Sequence, residues 1–143
     1  MNPEPIELML VEDNPDDVEL TLRSLRTHNL ANRVKVVSDG VEALDYLTPA
    51  SGAPPDGYPK LVLLDLKLPR VGGLEVLRRL KAAERTRTIP VVVLTSSREE
   101  SDLVKSYELG VNSYIVKPVD FEQFTKSVGE VGLYWLLLNK APA

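Results

Sequence analysis

The chain contains no cysteine and a single histidine, His28, among 143 residues. Disulfide frameworks, thiolate nucleophiles and thiolate metal sites are therefore excluded, and a histidine-rich metal cage is excluded with them. Oxygen donors remain, and these favour hard cations such as magnesium, calcium or manganese. Neither sign of charge dominates: 17 basic against 21 acidic residues give a net charge of −4, with no basic stripe to hold nucleic acid or an anionic membrane. No apolar run approaches membrane-spanning length, and residues 1–7 lack the basic start and apolar core of a secretory signal. The expectation is one cytoplasmic domain spanning residues 1–143, with no direct nucleic-acid or membrane partner.

What the chain does have is a succession of short apolar runs separated by helical patterns. Ile6 to Val11 reads as a first strand, almost unbroken in apolar character, as a sheet covered by helices on both faces requires. Asn14 and Pro15 then suit a helix cap and first turn, where Asp16, Asp17 and Glu19 favour the positive end of the helix dipole. Val18, Leu22 and Leu25 mark the inward side of that helix to about His28. Val34 to Val37 is a second strand, and Ser38-Asp39-Gly40 turns it into a helix carrying Val41, Leu44 and Leu47. Between Thr48 and Pro59, four prolines and two glycines define a long surface loop, which suits either tolerated variation or a partner contact. Three more strands follow at Leu61 to Leu64, Ile89 to Leu94 and Ser113 to Val116. The helices between them carry Leu74, Leu77 and Leu80, and run from Arg98 to Leu109, where Gly110 closes the second. A last helix from Asp120 carries Phe121, Phe124, Val128, Val131, Trp135 and Leu138. Five strands alternating with five helices predict an α/β fold, a doubly wound parallel sheet.

Four of these strands share a polar ending: Glu12-Asp13, Asp65, Thr95-Ser96 and Lys117-Pro118. In an open parallel sheet the carboxyl ends of the strands line the ligand crevice, so these endings should meet. A carboxylate such as Asp65 at the end of a buried strand is costly unless chemistry requires it. Three carboxylates repel one another unless a divalent cation sits among them, so Glu12, Asp13 and Asp65 predict a magnesium-type site completed by water. Asp16 and Asp17 fit the first helical turn better than the ligand set. Taken singly, Glu12-Asp13 also suits a helix cap, Thr95 a bond to its own backbone, and Lys117 a solvated surface. Taken together they suit attack by Asp65 on a phosphoryl group, with the metal and Lys117 neutralising its oxygens and the Thr95 hydroxyl donating to a third. Lys117 is also placed to pair with Asp65 before modification.

The combination resembles the receiver domains of two-component response regulators. The likeness runs from Ile6 to Val128 and rests on Glu12-Asp13, the Asp-Leu-Lys-Leu-Pro-x-x-Gly-Gly run that begins at Asp65, Thr95-Ser96 and Lys117-Pro118. It implies a flavodoxin-like receiver fold with strand order 2-1-3-4-5, and a regulatory domain rather than an enzyme. Asp65 would accept phosphate from a sensor histidine kinase and lose it by hydrolysis. The resemblance also implies Mg²⁺, or Mn²⁺ in its place, held by Asp13, Asp65 and the backbone carbonyl of Lys67, with Glu12 acting through water. Thr95 and Tyr114 would form the switch, read out on the face of the fourth helix, fifth strand and fifth helix, and the Lys117–Pro118 bond would be cis. The Asp13-Asn14-Pro15-Asp16-Asp17 opening, the proline loop and the apolar tail are most similar to the small stand-alone regulators that partner bacterial phytochrome kinases. A phytochrome-type kinase is thus the expected partner, with no output domain after Ala143.

From Val128 to Leu138 the chain is apolar on more sides than one core-facing stripe needs. Residues 129–143 are therefore expected to extend the last helix and to build part of a homodimer through Val131, Tyr134, Trp135 and Leu138, completion of the monomer core being the other reading. The enzyme alternative is an aspartyl-phosphate phosphatase of the haloacid dehalogenase type, which shares the Asp, hydroxyl, Lys and magnesium. Its acid–base Asp two residues after the nucleophile is replaced here by Lys67. A flavin-binding module would need glycine and hydroxyl donors after the first strand, where this chain is acidic.

Overall fold

The computed structural model describes residues 6–27, 33–50, 52–96, 100–111, 113–117 and 122. At its centre lie two apolar tetrapeptides, β1 (Leu8–Val11) and β3 (Leu61–Leu64), buried at every position. With β2 (Val34–Val37), β4 (Val91–Thr95) and β5 (Ser113–Val116) they form one sheet in the order β2-β1-β3-β4-β5, every pair parallel. This is the order that the resemblance to receiver domains implied. Parallel neighbours need crossovers, supplied by α1 (Pro15–Thr27), α2 (Gly40–Leu47), α3 (Gly73–Ala82) and α4 (Glu100–Glu108). Apart from Glu122, the expected fifth helix, from Asp120, and its apolar tail lie outside the described residues.

Strand alternation sorts the apolar side chains into two cores. Met9, Val11, Val62, Leu64, Val91 and Val93 pack with Leu44 and Leu47 of α2 and with Val76, Leu77 and Leu80 of α3. Leu8, Leu10, Leu61, Leu63, Val92, Leu94 and Ile115 pack on the other side with Leu25 of α1. Each such side chain contributes about 2 kcal/mol relative to exposure, so the rim of the sheet is a firm platform.

Boundaries shift where backbone donors are lost or diverted. Ile6 is buried but precedes β1, its amide donating to the Asp56 carbonyl at 3.2 Å. β4 begins at Val91 rather than Ile89, because Pro90 has no amide hydrogen and the Ile89 amide turns back to the Thr86 carbonyl at 3.0 Å. In α3, Val76 joins Leu77 and Leu80 in full burial, while Leu74 is only partly covered. The long proline loop is fastened rather than free: the Tyr46 hydroxyl donates to the Gly57 carbonyl at 2.9 Å, and the Lys35 ammonium lies 4.7 Å from the Tyr46 ring centroid.

Two glycines bring the segment after β3 close to its neighbours. A Cβ on Gly73 would lie 2.2 Å from the Asp65 carbonyl oxygen, and one on Gly40 would lie 2.0 Å from that of Val71. No side chain fits either gap. Arg70, between them, sits at φ 68°, a left-handed conformation that costs a non-glycine residue about 1 kcal/mol. Its guanidinium reaches the Asp39 carboxylate at 3.1 Å, and Asp39 caps α2 by accepting from the Glu42 amide at 2.8 Å. The stretch from Asp65 to Gly73 is thus held from both ends.

Candidate functional site

Strand register builds the site. Val11 pairs with Leu64, so the next residues, Glu12 and Asp65, emerge side by side at the carboxyl rim. The Asp65 amide donates to the Val11 carbonyl at 3.0 Å, and the Glu12 amide to the Val37 carbonyl at 3.0 Å. Both carboxylates are withdrawn from solvent, Glu12 being 3% and Asp65 6% exposed, while Asp13 is exposed. One oxygen from each of Glu12, Asp13 and Asp65 lies within 4.8 Å of the others. All-oxygen donors at that spacing, two of them buried, fit a single hard divalent cation.

Lys117, the residue after β5, reaches into the same crevice. Its ammonium donates to Glu12 Oε1, to Asp17 Oδ2 at 2.8 Å and to Asp65 Oδ2 at 3.3 Å. Those three bonds use every donor the ammonium has. The Glu12 carboxyl is pushed up to about 7, chiefly by burial, with the bond from Lys117 opposing the rise and the neighbouring Asp65 adding to it. Burial also works against the charge on Lys117, but the bonds to Asp17 and Glu12 and the nearby Asp65 outweigh it and hold the ammonium above the usual lysine range. Glu12, Asp17 and Asp65 share one ammonium while Asp13 lies beside Glu12 and Asp65, and the excess negative charge is what a cation would offset.

The remaining candidates are placed as follows. The Lys67 amide donates to Asp65 Oδ1 at 3.3 Å, so the backbone two residues on steadies the carboxylate. Thr95 ends β4 and pairs in register with Val116, one residue before Lys117. Tyr114 pairs with Val93 and is half-buried against the core that covers α2 and α3. Ser96 is exposed. Val131, Tyr134, Trp135 and Leu138, and the Pro118 peptide bond, lie outside the described residues.

Asp17 is the residue that sequence reasoning left out of the site. Its assignment to the first turn of α1 holds, with Asn14 Oδ1 accepting from the amides of Asp16 at 2.9 Å and Asp17 at 3.3 Å. That capped turn also aims Asp17 at Lys117. The available signal was its place in the first turn of a helix that starts directly after the strand ending at Glu12 and Asp13.

A parallel sheet of this order, with acids and a buried lysine converging at its carboxyl rim, defines a receiver-type signalling domain. The chain belongs to the response regulator receiver domain family, whose profile matches residues 8–129. It is a regulatory domain of two-component signalling, and receivers of this kind work with histidine kinases. The bacteriophytochrome response regulator AtBRR is 58% identical, with a TM-score of 0.81 over 96% of this chain and 100% of that one. The response regulator Rcp1 of Synechocystis is 37% identical over 97% of this chain and 95% of its own length. Its Mn(2+)-bound crystal structure superposes with a TM-score of 0.73 at 35% identity, over 97% of this chain and 100% of that one. A probable methanogenesis regulatory protein, FilR2 of Methanothrix harundinacea, is 43% identical over 97% of this chain and 89% of its own. The chain is therefore related to phytochrome response regulators, and its acidic cluster fits the divalent-metal site of a receiver.

Proposed function

We propose that Asp65 is the phosphoacceptor, taking a phosphoryl group from a phytochrome-type sensor histidine kinase in a Mg²⁺-dependent reaction. The observation that carries this reading is the Lys117 ammonium, 3.3 Å from Asp65 Oδ2 inside a crevice that also gathers Glu12 and Asp13. A carboxylate oxygen of Asp65 attacks the phosphorus of a phosphohistidine; the P–N bond breaks, its electron pair leaves with the imidazole, and an acyl phosphate forms. Asp13, Asp65 and the Lys67 carbonyl would hold Mg²⁺, with Glu12 acting through water. Bound there, the cation would supply positive charge to neutralise phosphoryl oxygens. Lys117 donates to another phosphoryl oxygen, and the Thr95 hydroxyl to a third.

Water attacking the same phosphorus returns the carboxylate, so the domain sheds its own phosphate. Recruitment of Thr95 frees space for Tyr114 to reorient, and the surface formed by α4, β5 and the final helix carries the change to a partner. Phytochrome pairing is supported by the 58% identity to AtBRR, itself a bacteriophytochrome response regulator. The apolar spacing of Val131, Tyr134, Trp135 and Leu138 supports a homodimer built from residues 129–143, in the cytoplasm where such kinases present their phosphohistidine. Incubation with acetyl phosphate and Mg²⁺ is expected to add one phosphoryl group to the protein and none to Asp65→Asn. Undiminished labelling of that variant would move the acceptor elsewhere.

A further inference from the structure

The ion pairs around Lys117 are unequal. Of its three carboxylate partners, Glu12 and Asp65 belong to the cluster that fits a cation, whereas Asp17 does not. Asp17 comes from a different element, the first turn of α1, and its side chain is 30% exposed against 2% for Glu12 and 7% for Asp65. Yet the Lys117 ammonium lies closer to Asp17, at 2.8 Å, than to Asp65, at 3.3 Å. With three donors and three acceptors the ammonium has no donor left for a phosphoryl oxygen. Any contact to an anion on Asp65 has to be taken from one of the three.

We infer that Asp17 is a positioning residue that holds Lys117 toward α1 in the unmodified domain and competes with the phosphoryl group for that ammonium. This rests on the reading of Asp65 as phosphoacceptor. Two electrostatic effects act in the same direction. Asp17 stabilises the unmodified state by pairing with Lys117, and its own negative charge opposes an anionic group arriving beside it. Removing the charge while keeping the shape therefore shifts the balance toward the phosphorylated form. Asp17 sets how readily the switch closes, without touching the reacting atoms.

The test is a titration of the full chain with beryllofluoride, an anionic phosphoryl analogue, in saturating Mg²⁺, followed by heteronuclear NMR. Asp17→Asn is expected to bind beryllofluoride about fivefold more tightly than the wild type, the upper range for a partly exposed ion pair. Asp17→Glu, which restores the charge one methylene further out, should return to within about twofold of the wild type. Asp16→Asn removes a charge from the same helical turn, on an exposed residue, and should leave the affinity unchanged. Equal or weaker binding by Asp17→Asn overturns the inference, as does an Asp16→Asn variant that tightens equally or an Asp17→Glu variant that behaves like Asp17→Asn. Failure of the wild type to bind the analogue, or binding that survives Asp65→Asn, would instead strike the phosphoacceptor reading beneath it.

Discussion

Lys117 links parts of the chain a hundred residues apart. Its ammonium joins Glu12 and Asp17 near the start to Asp65 in the middle, with its side chain only 12% exposed. Buried charges survive in such places only when paired, and truncating one partner leaves the other stranded. Lys117→Ala is expected to lower the unfolding free energy by about 3 kcal/mol in chelator near neutral pH, measured by urea denaturation. An unchanged midpoint would mean that the lysine is not holding the acids together. Glu12, Asp65 and Lys117 were legible in the sequence because each follows directly on an apolar strand, where a charge is conspicuous, and Asp13 because it doubles the charge of Glu12. Asp17 was not: a first-turn carboxylate already has a sufficient local reason, the helix dipole, and only the tertiary fold shows that its side chain also meets a lysine one hundred positions later.

The strands were read more accurately than the helices, for a physical reason. β2, β3 and β5 begin and end as expected because their apolar runs are bounded by polar residues or turn formers. β4 starts two residues after the expected Ile89, because Ile89 and Pro90 extend the apolar pattern without extending the ladder, and it ends one residue beyond Leu94, at Thr95. In α3 the leucine spacing was visible, but Val76 carries as much burial as Leu77 and Leu80. The exposed side of α3 carries a different signal: Glu75 pairs with Arg78 and Arg79, which hold its carboxyl down to about 2. A carboxyl depressed below its ordinary value adds stability that is present above about pH 4.5 and is lost as the pH falls through about 2. On an exposed surface the contribution is small and is screened by salt. An NMR titration of the Glu75 side-chain carboxyl carbon should therefore show a midpoint well below 4.5 in low salt, moving upward as salt is added. A midpoint at the ordinary value would show that the two arginines do not engage it.

At the scale of the molecule, the parallel order β2-β1-β3-β4-β5 is what turns separated strand endings into one crevice. The alternation of strand and helix predicted the doubly wound sheet, and the polar endings predicted which rim matters. The proline loop was the least legible part, since its attachment depends on a tyrosine hydroxyl donating across eleven positions to Gly57. For assembly, multi-angle light scattering on the full chain is expected to give twice the mass of one chain, and Trp135→Glu with Leu138→Glu to give the monomer mass. A dimer that survives both charges would remove those residues from the interface. The central claim is chemical, and borohydride tests it most directly, because it reduces an aspartyl phosphate to homoserine and so marks the acceptor permanently. After treatment with acetyl phosphate and Mg²⁺, peptide mass spectrometry is expected to find homoserine at position 65 and at no other aspartate. Homoserine at Asp13 or Asp17 with position 65 intact would contradict the account.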